Sequence, residues 1–347
     1  MSRRLVVRVE PLGVVSRGRR LTVYTLVAVF AVVALILPIL ASGSLRVVAE
    51  YGRVWSPSFI STTVFEVARY ATAMLWTGLA GVVAFRSRVW NIGLEGYMIV
   101  GAIATAAAGF AGLGWLAPFA AFAAGVLWSL PVAAAMFWGL NEVIASMMMY
   151  YISLYLLQFV VYKVWPSPYG EFPMTPDIGV AQPVVAGIPL MLYMGVVAAI
   201  LLYLFYKRSV LGLVLRLVGE SDKATLIAGY SPHVARLVSL MVSSGLAGLA
   251  GFHIASVLRH LSMGYASLGY GFAGITIAFL AVLNPLLVVP AALLMGLVYH
   301  FANFASDALP GGYAAYFYYA QGVILLSVLA ANSLPRYRII VRVENRG

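Results

Sequence analysis

The chain has 347 residues, of which 63% are hydrophobic and only 10% are charged. Soluble domains carry roughly a quarter charged residues, so a soluble fold of this size is excluded. The absence of cysteine excludes disulfides and thiolate metal sites, and the four histidines are scattered. The net charge of +11 lies between apolar segments, which is typical of a membrane protein and not of a nucleic-acid-binding surface.

Ten apolar segments are long enough to be membrane helices, because a bilayer core of roughly 30 Å requires about 20 apolar residues. The first follows three arginines and is longer than a cleavable signal sequence, so we predict a retained helix. The eighth contains several glycines and is either short or re-entrant. The predicted spans are about 21–41, 59–85, 92–110, 115–138, 143–163, 189–206, 237–258, 267–283, 286–304 and 315–333.

Basic residues predict the orientation of these spans. With the N-terminus inside, 17 of the 22 Lys and Arg residues fall in cytoplasmic pieces and four in outer loops. We therefore predict an all-α polytopic protein of the plasma membrane, with about ten helices in two inverted five-helix halves and both termini cytoplasmic. Its parts are an N-terminal basic segment (1–20), a transmembrane domain (21–333) with a cytoplasmic segment (207–236), and a C-terminal basic tail (334–347).

The two termini carry nearly the same motif. Residues 4–10 read RLVVRVE and residues 338–344 read RIIVRVE, both rich in β-branched residues. We expect the termini to pair as a two-stranded ribbon, which would need support from the membrane or from a partner subunit. The alternative is two separate basic anchors at the lipid headgroups.

Glycines interrupt the third helix of each predicted half, where transporters often bind their solutes. Asn91 and Glu95 share a helical face there, and an ionisable residue inside a span is a functional candidate. Together they could bind the hydroxyls or ring nitrogens of a polar, uncharged solute. The alternative is that Asn91 caps the helix and Glu95 occupies its first turn. Flanking glycines would permit close approach of a ligand or backbone: Gly93, Gly96, Gly271 and Gly274.

Other polar residues favour structural roles. Glu66 and Arg69 are one helical turn apart, which predicts an ion pair. Asn141 and Glu142 are typical of a helix cap followed by a favourable acid. His253 lies on an apolar helix and is interpreted as a packed residue.

Two segments outside the spans favour contacts with partners. Within 207–236, polar residues can cap a short helix that Gly229 ends, and such a helix could dock in a cytoplasmic motor or lie on the bilayer. The proline-rich outer loop 165–187 either meets an external partner or is a spacer. No glycine-rich phosphate-binding loop is present, so we expect the chain not to be an ATPase.

Several motifs occur in order between residues 60 and 330: FRSRVWNIGLEG (85–96), NEVI (141–144), the Gly212–Pro232 stretch, GFAGI (271–275) and QGVIL (321–325). Together they resemble the permeases of ABC importers, in the nucleoside and simple-sugar branch of the branched-chain amino acid and ribose permease family. One position departs from the family pattern, because Tyr97 replaces the usual Gln; it could stack on a base or sugar, or pack against a helix.

The resemblance implies a transport subunit without enzymatic activity or cofactors of its own, which moves a nucleoside or simple sugar by alternating access. It implies a partner ATPase that binds ATP and Mg, a second permease subunit, identical or paralogous, and an extracellular solute-binding lipoprotein. It also implies that 219–229 is the helix that couples to the ATPase, through Gly219, Glu220, Ser221, Asp222, Lys223, Ala224 and Gly229.

An ion-coupled secondary transporter is the rival hypothesis, because that class also has inverted repeats and buried acids. It would use Glu95 or Glu66 as the coupling site and would need no ATPase.

Overall fold

A computed structural model describes residues 3–11, 17–41, 57–168, 173–304, 312–334 and 337–345. Among these residues, eight continuous helical stretches are long and apolar enough to cross a membrane, and two shorter apolar helices cover 94–110 and 315–331. Two of the eight are composite: 114–137 contains two α-helices, and 263–280 joins a 3₁₀ turn to a short α-helix. Every predicted span therefore coincides with an apolar helix. The structure confirms a mostly helical protein with many candidate membrane spans.

The first half begins with strand β1 (Arg3–Pro11) and helix α1 (Arg17–Ala41). It continues with α2 (Pro57–Arg86), α3 (Leu94–Phe110), α4 (Ala117–Trp128), α5 (Leu130–Phe137) and α6 (Glu142–Phe159). Helix α6 is extended by a π-helical turn (Val160–Val164). The predicted fourth span is thus two helices, which adjoin at Ser129 next to a proline in the first turn of α5.

The second half begins with a two-residue hairpin, β2 (Val184–Val185) and β3 (Ile188–Pro189). Its helices are α7 (Leu190–Arg208), α8 (Val210–Glu220), α9 (Asp222–Ile227), α10 (Pro232–Leu258), α11 (Tyr270–Leu280), α12 (Pro285–Phe304) and α13 (Gly312–Ser333). Strand β4 (Tyr337–Asn345) ends the described chain. Helix α10 begins five residues before the predicted span 237–258.

The two termini pair as predicted. Strands β1 and β4 are antiparallel, with Arg4 opposite Glu344 and Glu10 opposite Arg338. Because the motif begins with Arg and ends with Glu, antiparallel pairing of its two copies places opposite charges across from each other at both ends.

Helices α2 and α10 form the centre of the helical core. Glycines on α10 permit close packing against α4 and α3, because a side chain at Gly248 would overlap the carbonyl of Ala121, and one at Gly251 would overlap that of Met98. Gly245, Gly248 and Gly251 therefore form a small-residue packing face on α10.

Candidate functional site

Two interrupted helices mark the centre of the molecule. Helix α3 has 17 residues and α11 has 11, so they rise only ~25 Å and ~16 Å, less than the ~30 Å core of a bilayer. Non-helical backbone precedes α3, and a 3₁₀ turn (Met263–Ser267) precedes α11. Gly269 then adopts a left-handed conformation (φ 68°), which a residue with a side chain would adopt only under strain.

The N-termini of the two short helices meet at Glu95. This side chain is 1% exposed, and its carboxylate accepts hydrogen bonds from the backbone N–H of Gly269 at 3.1 Å and of Gly271 at 2.5 Å. Glu95 also lies in the first turn of its own helix. The acid therefore caps a second helix in addition to stabilising the first, since both present the positive end of their dipole to it.

Glycines bring the backbones together at this junction. A Cβ at Gly271 would overlap the backbone of Glu95, and one at Gly274 would lie 2.6 Å from the side chain of Thr77. On the other side of α3, a Cβ added to Gly93 would lie 2.6 Å from the carbonyl oxygen of Ser146. A Cβ added to Gly96 would lie 2.8 Å from the Cα of Tyr150. These glycines are thus used for packing between helices.

Asn91 and Tyr97 lie in the same junction. The amide nitrogen of Asn91 donates to the hydroxyls of Ser243 at 3.2 Å and Ser244 at 3.5 Å on α10, and its Oδ1 accepts no hydrogen bond from the start of α3. Gly93 is the residue at the N-cap of α3, so the alternative in which Asn91 caps this helix is wrong. Tyr97 is completely buried in the core.

All the residues predicted for the solute pathway come together here and are buried: Asn91, Gly93, Glu95, Gly96, Tyr97, Gly271 and Gly274. They form a packed junction and not an open channel in this conformation. Their proximity follows from the two interrupted helices that the sequence predicted, but the bonds from Glu95 to α11 do not.

The predicted cytoplasmic segment forms two short helices, and not the single helix expected over 219–229, because Gly219 and Glu220 end α8 and Ser221 separates them from α9. Ser209 caps α8 through the N–H of Gly212 at 2.9 Å, and Ser221 caps α9 through that of Ala224 at 3.3 Å. Gly229 follows the end of α9 with φ 83°, so it ends this short helix as predicted. Asp222 forms an ion pair with Arg236 on α10 at 2.6 Å.

The end of α9 presents apolar side chains to solvent, with Leu226 62% and Ile227 88% exposed. Among the residues predicted for coupling, Glu220, Asp222, Lys223 and Gly229 are exposed, whereas Ser221 and Ala224 are half-buried. The start of α9 is therefore held in place by its cap and by the Asp222–Arg236 ion pair, whereas its apolar tip, formed by Leu226 and Ile227, is exposed.

Gly219, near the end of α8, packs directly against the C-terminal end of α2. A Cβ at Gly219 would overlap the carbonyl oxygen of Arg86. The hydroxyl of Ser87, the next residue, donates a hydrogen bond to the carbonyl of Leu215 at 3.2 Å and accepts a hydrogen bond from the hydroxyl of Ser239 at 2.7 Å. These contacts hold α8 against the stretch of chain that leads to Asn91 and Glu95.

Arg86 was missed by the sequence analysis. Its guanidinium donates to the carbonyl of Leu283, just beyond α11, at 3.0 Å and lies 4.7 Å from the centre of the Tyr206 ring. It thus connects the ends of α2, α7 and α11. Its place at the C-terminal end of a long apolar helix was the available signal, since cations favour that position.

Comparison with known proteins places this site in a family. The model of the branched-chain amino acid transport system permease component matches residues 63–329, which is more than half of the chain. The chain belongs to this ABC transporter permease family. The match includes both interrupted helices and the segment α8–α9.

Similar proteins have transport functions. The permease is 30% identical to the guanosine ABC transporter permease protein NupP of Bacillus subtilis, over 81% of this chain and 85% of that protein. It is 26% identical to the glucose ABC transporter permease protein TsgB13 of Haloferax volcanii (81% and 80%) and 25% identical to the nucleoside ABC transporter permease protein NupC of Lactococcus lactis (70% and 80%). A solved inward-facing ABC transporter of the metal-chelate type is similar at 18% identity, with a TM-score of 0.43, over 86% of this chain and 95% of that one.

A second polar cluster of the permease lies between the N-terminal part of α2 and the C-terminal part of α10. Glu66 and Arg69 form the predicted ion pair, and Arg69 also donates to the hydroxyl of Tyr70 at 2.9 Å. His253 donates through Nε2 to the carbonyl of Arg69 at 2.9 Å and accepts at Nδ1 from Gln182 at 2.8 Å. The prediction that His253 is a packed residue is therefore confirmed.

The outer loop of the permease packs on the end of α10. Asp177 forms an ion pair with Arg259 at 2.7 Å, and the N–H of Ile178 donates to the carbonyl of Arg259 at 2.8 Å. A hydrogen bond from the N–H of Gly179, together with Arg259, lowers the pKa of Asp177. Residues 169–172 of this loop lie outside the described residues.

The start of α6 is capped as predicted. The side chain of Asn141 accepts from the N–H of Val143 at 2.8 Å, and Glu142 lies in the first turn. Glu142 also borders a large cavity with Trp90, Arg88 and Arg236. Glu142 therefore has a structural role at the helix start.

Proposed function

We propose that this permease is the membrane subunit of an ABC importer that takes up a nucleoside, with a simple sugar as the second candidate solute. The observation that carries the proposal is the 30% identity to a guanosine permease over most of both chains. A glucose permease matches over a similar length at 26% identity, which keeps the sugar as the second candidate.

The partners of the proposed importer are a cytoplasmic ABC ATPase, a second permease subunit and an extracellular solute-binding lipoprotein. ATP and Mg bind the ATPase, so this subunit needs no cofactor and catalyses no reaction. The exposed apolar tip at Leu226 and Ile227 supports docking of α9 in a groove of the ATPase, because large apolar residues at a fixed, exposed tip are typical of contact sites.

The proposed topology has ten spans in two inverted halves, with both termini in the cytoplasm. The concentration of Lys and Arg in the pieces assigned to the cytoplasm supports it. The pairing of β1 with β4 also supports it, since paired strands must lie on the same side of the membrane.

The proposed mechanism is alternating access. Closure of the ATPase dimer moves α9, and contacts at Gly219 and Ser87 transmit the movement to the stretch before α3. Because Glu95 holds α11 to the start of α3, both interrupted helices then move together. Asn91, Glu95 and Tyr97 become part of the solute pathway when this junction opens.

The decisive experiment is uptake of labelled guanosine by vesicles that contain the purified subunits. Uptake that requires ATP, the ATPase and the solute-binding protein supports the proposal. Uptake by this chain alone that an ionophore abolishes would overturn it in favour of the ion-coupled transporter. Competition by glucose and by other nucleosides in the same assay distinguishes the two candidate solutes.

A further inference from the structure

The paired termini form an amphipathic ribbon. Successive residues of a β-strand lie on opposite faces, and residues directly across an antiparallel pair lie on the same face. The register of β1 and β4, in which Val7 is opposite Val341, therefore separates their residues into two sets. We call one set the apolar face: Leu5, Val7, Val9, Ile339, Val341 and Val343, with Pro11 and Tyr337 at one end and Arg3 and Asn345 at the other.

The opposite face of the ribbon is mostly charged. Six of its eight residues are charged, whereas the central six residues of the apolar face are all aliphatic. A structure with one apolar and one charged face is suited to the boundary between an apolar and an aqueous phase. The residues of the charged face are Arg4, Val6, Arg8, Glu10, Arg338, Ile340, Arg342 and Glu344.

In the described part of the chain, no helix packs extensively on the ribbon. Strands β1 and β4 make their extensive contacts with each other. An isolated two-stranded ribbon is at best marginally stable in water, because it leaves its apolar residues exposed. Another surface must therefore cover the apolar face.

The ribbon begins where two packed helices end. Tyr316 and Tyr319, near the start of α13, donate to the carbonyls of Leu35 at 3.1 Å and Ala34 at 2.8 Å, towards the end of α1, so the two helices are antiparallel. The start of α1 and the end of α13 therefore lie at the same end of this pair. Only residues 12–16 separate β1 from α1, and only residues 334–336 separate α13 from β4. Three residues span at most ~11 Å, so the ribbon begins at this end of the helix pair.

Helix α1 lies at the edge of the helical bundle. Its apolar side chains are largely exposed, including Leu26 (64%) and Phe30 (60%), as expected of a helix that faces lipid. The segment α8–α9 packs on α2, α7 and α10 instead. The ribbon therefore begins in a different part of the bundle from the proposed ATPase contact, which favours lipid as the surface that covers the apolar face.

Arginines are concentrated where the ribbon begins. Residues 1–20 and 334–347 contain ten of the 22 Lys and Arg residues of the chain and only two acids, Glu10 and Glu344. Arg17, Arg19 and Arg20 lie in the first turn of α1, which has no acid. The positive end of the helix dipole disfavours cations there, so these arginines indicate anions outside the helix. At a membrane surface, the headgroup phosphates of anionic lipids are such anions.

The edges of the ribbon restrict it to the membrane surface. Strands of nine residues extend ~30 Å, which is enough to cross a bilayer core. However, the outer edges of a two-stranded ribbon leave backbone N–H and C=O groups unpaired, and hydrocarbon cannot satisfy them. Water and phosphate oxygens in the headgroup region can. A position parallel to the membrane surface therefore suits the backbone and both faces.

We propose that the β1–β4 ribbon is a membrane-surface anchor that binds anionic phospholipid. Its apolar face lies at the boundary between headgroups and acyl chains, and the arginines of the ribbon and of α1 lie at the level of the lipid phosphates. The anchor joins the ends of α1 and α13 to one leaflet. The assignment holds for either candidate solute, because it involves no residue of the solute pathway.

The absence of cysteine allows the two faces to be compared with single spin labels. Val7→Cys on the apolar face and Val6→Cys on the charged face are matched, because both replace a valine of β1. Each full-length variant is labelled in lipid nanodiscs of equal parts phosphatidylcholine and phosphatidylglycerol. We expect the label at 7 to collide mainly with oxygen, which concentrates in lipid, and the label at 6 mainly with a water-soluble nickel chelate.

Two results of this comparison would overturn the proposal. Equal access of the nickel chelate to positions 6 and 7 would place the ribbon in water. Protection of position 7 from both reagents would show that protein covers the apolar face. We expect Val341→Cys and Ile340→Cys to show the same difference on β4, and its absence there would contradict a ribbon that lies on one face.

Lipid composition tests the source of the phosphate. In nanodiscs of phosphatidylcholine alone, we expect the difference between positions 6 and 7 to decrease, and added inorganic phosphate not to restore it. An unchanged difference would contradict the role of anionic headgroups. Restoration by inorganic phosphate would overturn the assignment to lipid in favour of a free anion.

Cleavage by trypsin provides a readout that needs no label. Val7→Asp places a charge on the apolar face, whereas the control Val6→Asp places one opposite Arg342. In nanodiscs that contain phosphatidylglycerol, we expect Val7→Asp to increase the cleavage rate at the arginines of the ribbon about tenfold, because it removes the gain from burying a valine. Val6→Asp should change the rate little, and equal rates in the two variants would contradict an apolar face held in lipid.

Discussion

The carboxylate of Glu95 accepts a hydrogen bond from the backbone N–H of Gly271, at the start of a helix 176 residues away in sequence. A Cβ at Gly271 would overlap the backbone of Glu95, so the two helices touch directly at this point. The acid that the sequence identified as a solute-binding candidate therefore also holds the two interrupted helices together.

This relationship predicts different effects for two substitutions of Glu95. Glu95→Ala leaves the N–H groups of Gly269 and Gly271 buried without an acceptor, which we expect to reduce the free energy of unfolding by about 1–3 kcal/mol for each group. Glu95→Gln retains an oxygen acceptor and should cost less. Thermal unfolding of the purified protein in mild detergent measures both.

Glu142→Gln is the matched control, because Glu142 also lies in the first turn of a helix but its own helix is capped by Asn141. Its expected cost is about 0.3–1 kcal/mol, the usual effect of an acid on a helix dipole. If Glu95→Ala and Glu142→Gln reduced the free energy of unfolding by equal amounts, the hydrogen bonds from α11 to Glu95 would contribute nothing to stability. Guanosine uptake by the Glu95→Gln variant then tests whether Glu95 has a role in transport that is separate from its role in stability.

The tip of α9 is expected to bind the ATPase. Ile227→Ser removes an apolar side chain that is 88% exposed, so the permease itself should remain stable while the amount of co-purified ATPase falls at least tenfold, the loss that truncating a central interface residue commonly causes (about 2 kcal/mol). Val210→Ser, at a position 62% exposed at the start of α8, is the control and should retain the ATPase. Retention of the ATPase by both variants would contradict this assignment.

Gly219 is expected to be essential for coupling, since the contact between α8 and the carbonyl of Arg86 leaves no space for a side chain. Gly219→Ala should displace α8 and reduce the guanosine transported per ATP hydrolysed, with ATPase still bound. Gly322→Ala on α13 is the control, because a Cβ there meets no described atom within 4 Å. Simultaneous measurement of guanosine uptake and phosphate release gives the number of guanosine molecules transported per ATP hydrolysed. If this number were unchanged in Gly219→Ala, the contact between Gly219 and Arg86 would not transmit movement from the ATPase.

The outer loop is expected to detach from α10 only in acid. The pKa of Asp177 is lowered by the N–H of Gly179 and by Arg259, so its ionised form stabilises the folded loop. That contribution is complete above the unfolded pKa of about 3.9 and is lost as the pH falls through the lower, folded value.

Limited proteolysis of the loop should therefore be constant between about pH 5 and 8 and increase below about pH 4. Asp177→Asn should be cleaved faster than the unmodified protein at neutral pH, without this acid dependence. A change in cleavage rate centred between pH 5 and 8 would assign the transition to another group.

Local patterns in the sequence predicted much of the fold. Each correctly predicted local feature involves residues within one or two helical turns of each other. These features are the apolar segments, the Glu66–Arg69 ion pair, the caps at Asn141 and Ser221, and the end of α9 at Gly229. Pairing of the termini was predictable for a different reason, because the repeated motif is complementary to itself in antiparallel pairing.

Contacts between distant segments were not predictable in this way. The bond from Arg86 to Leu283 joins residues 197 positions apart, and nothing near Arg86 in the sequence indicates its partner. Likewise the glycines at 93 and 96 suggested space for a solute, but helix α6 fills that space with Ser146 and Tyr150.

The sequence by itself determined that this protein is a helical membrane permease, where its helices lie and which segment projects from them, because hydrophobicity, capping and charge act over short stretches of chain. The tertiary structure alone decided which faces of those helices are buried and which are open. Lipid and protein interior are similarly apolar, so the composition of a membrane helix does not reveal what each face contacts. Only the packed arrangement shows Glu95 enclosed between two helix ends and Tyr155 exposed on α6.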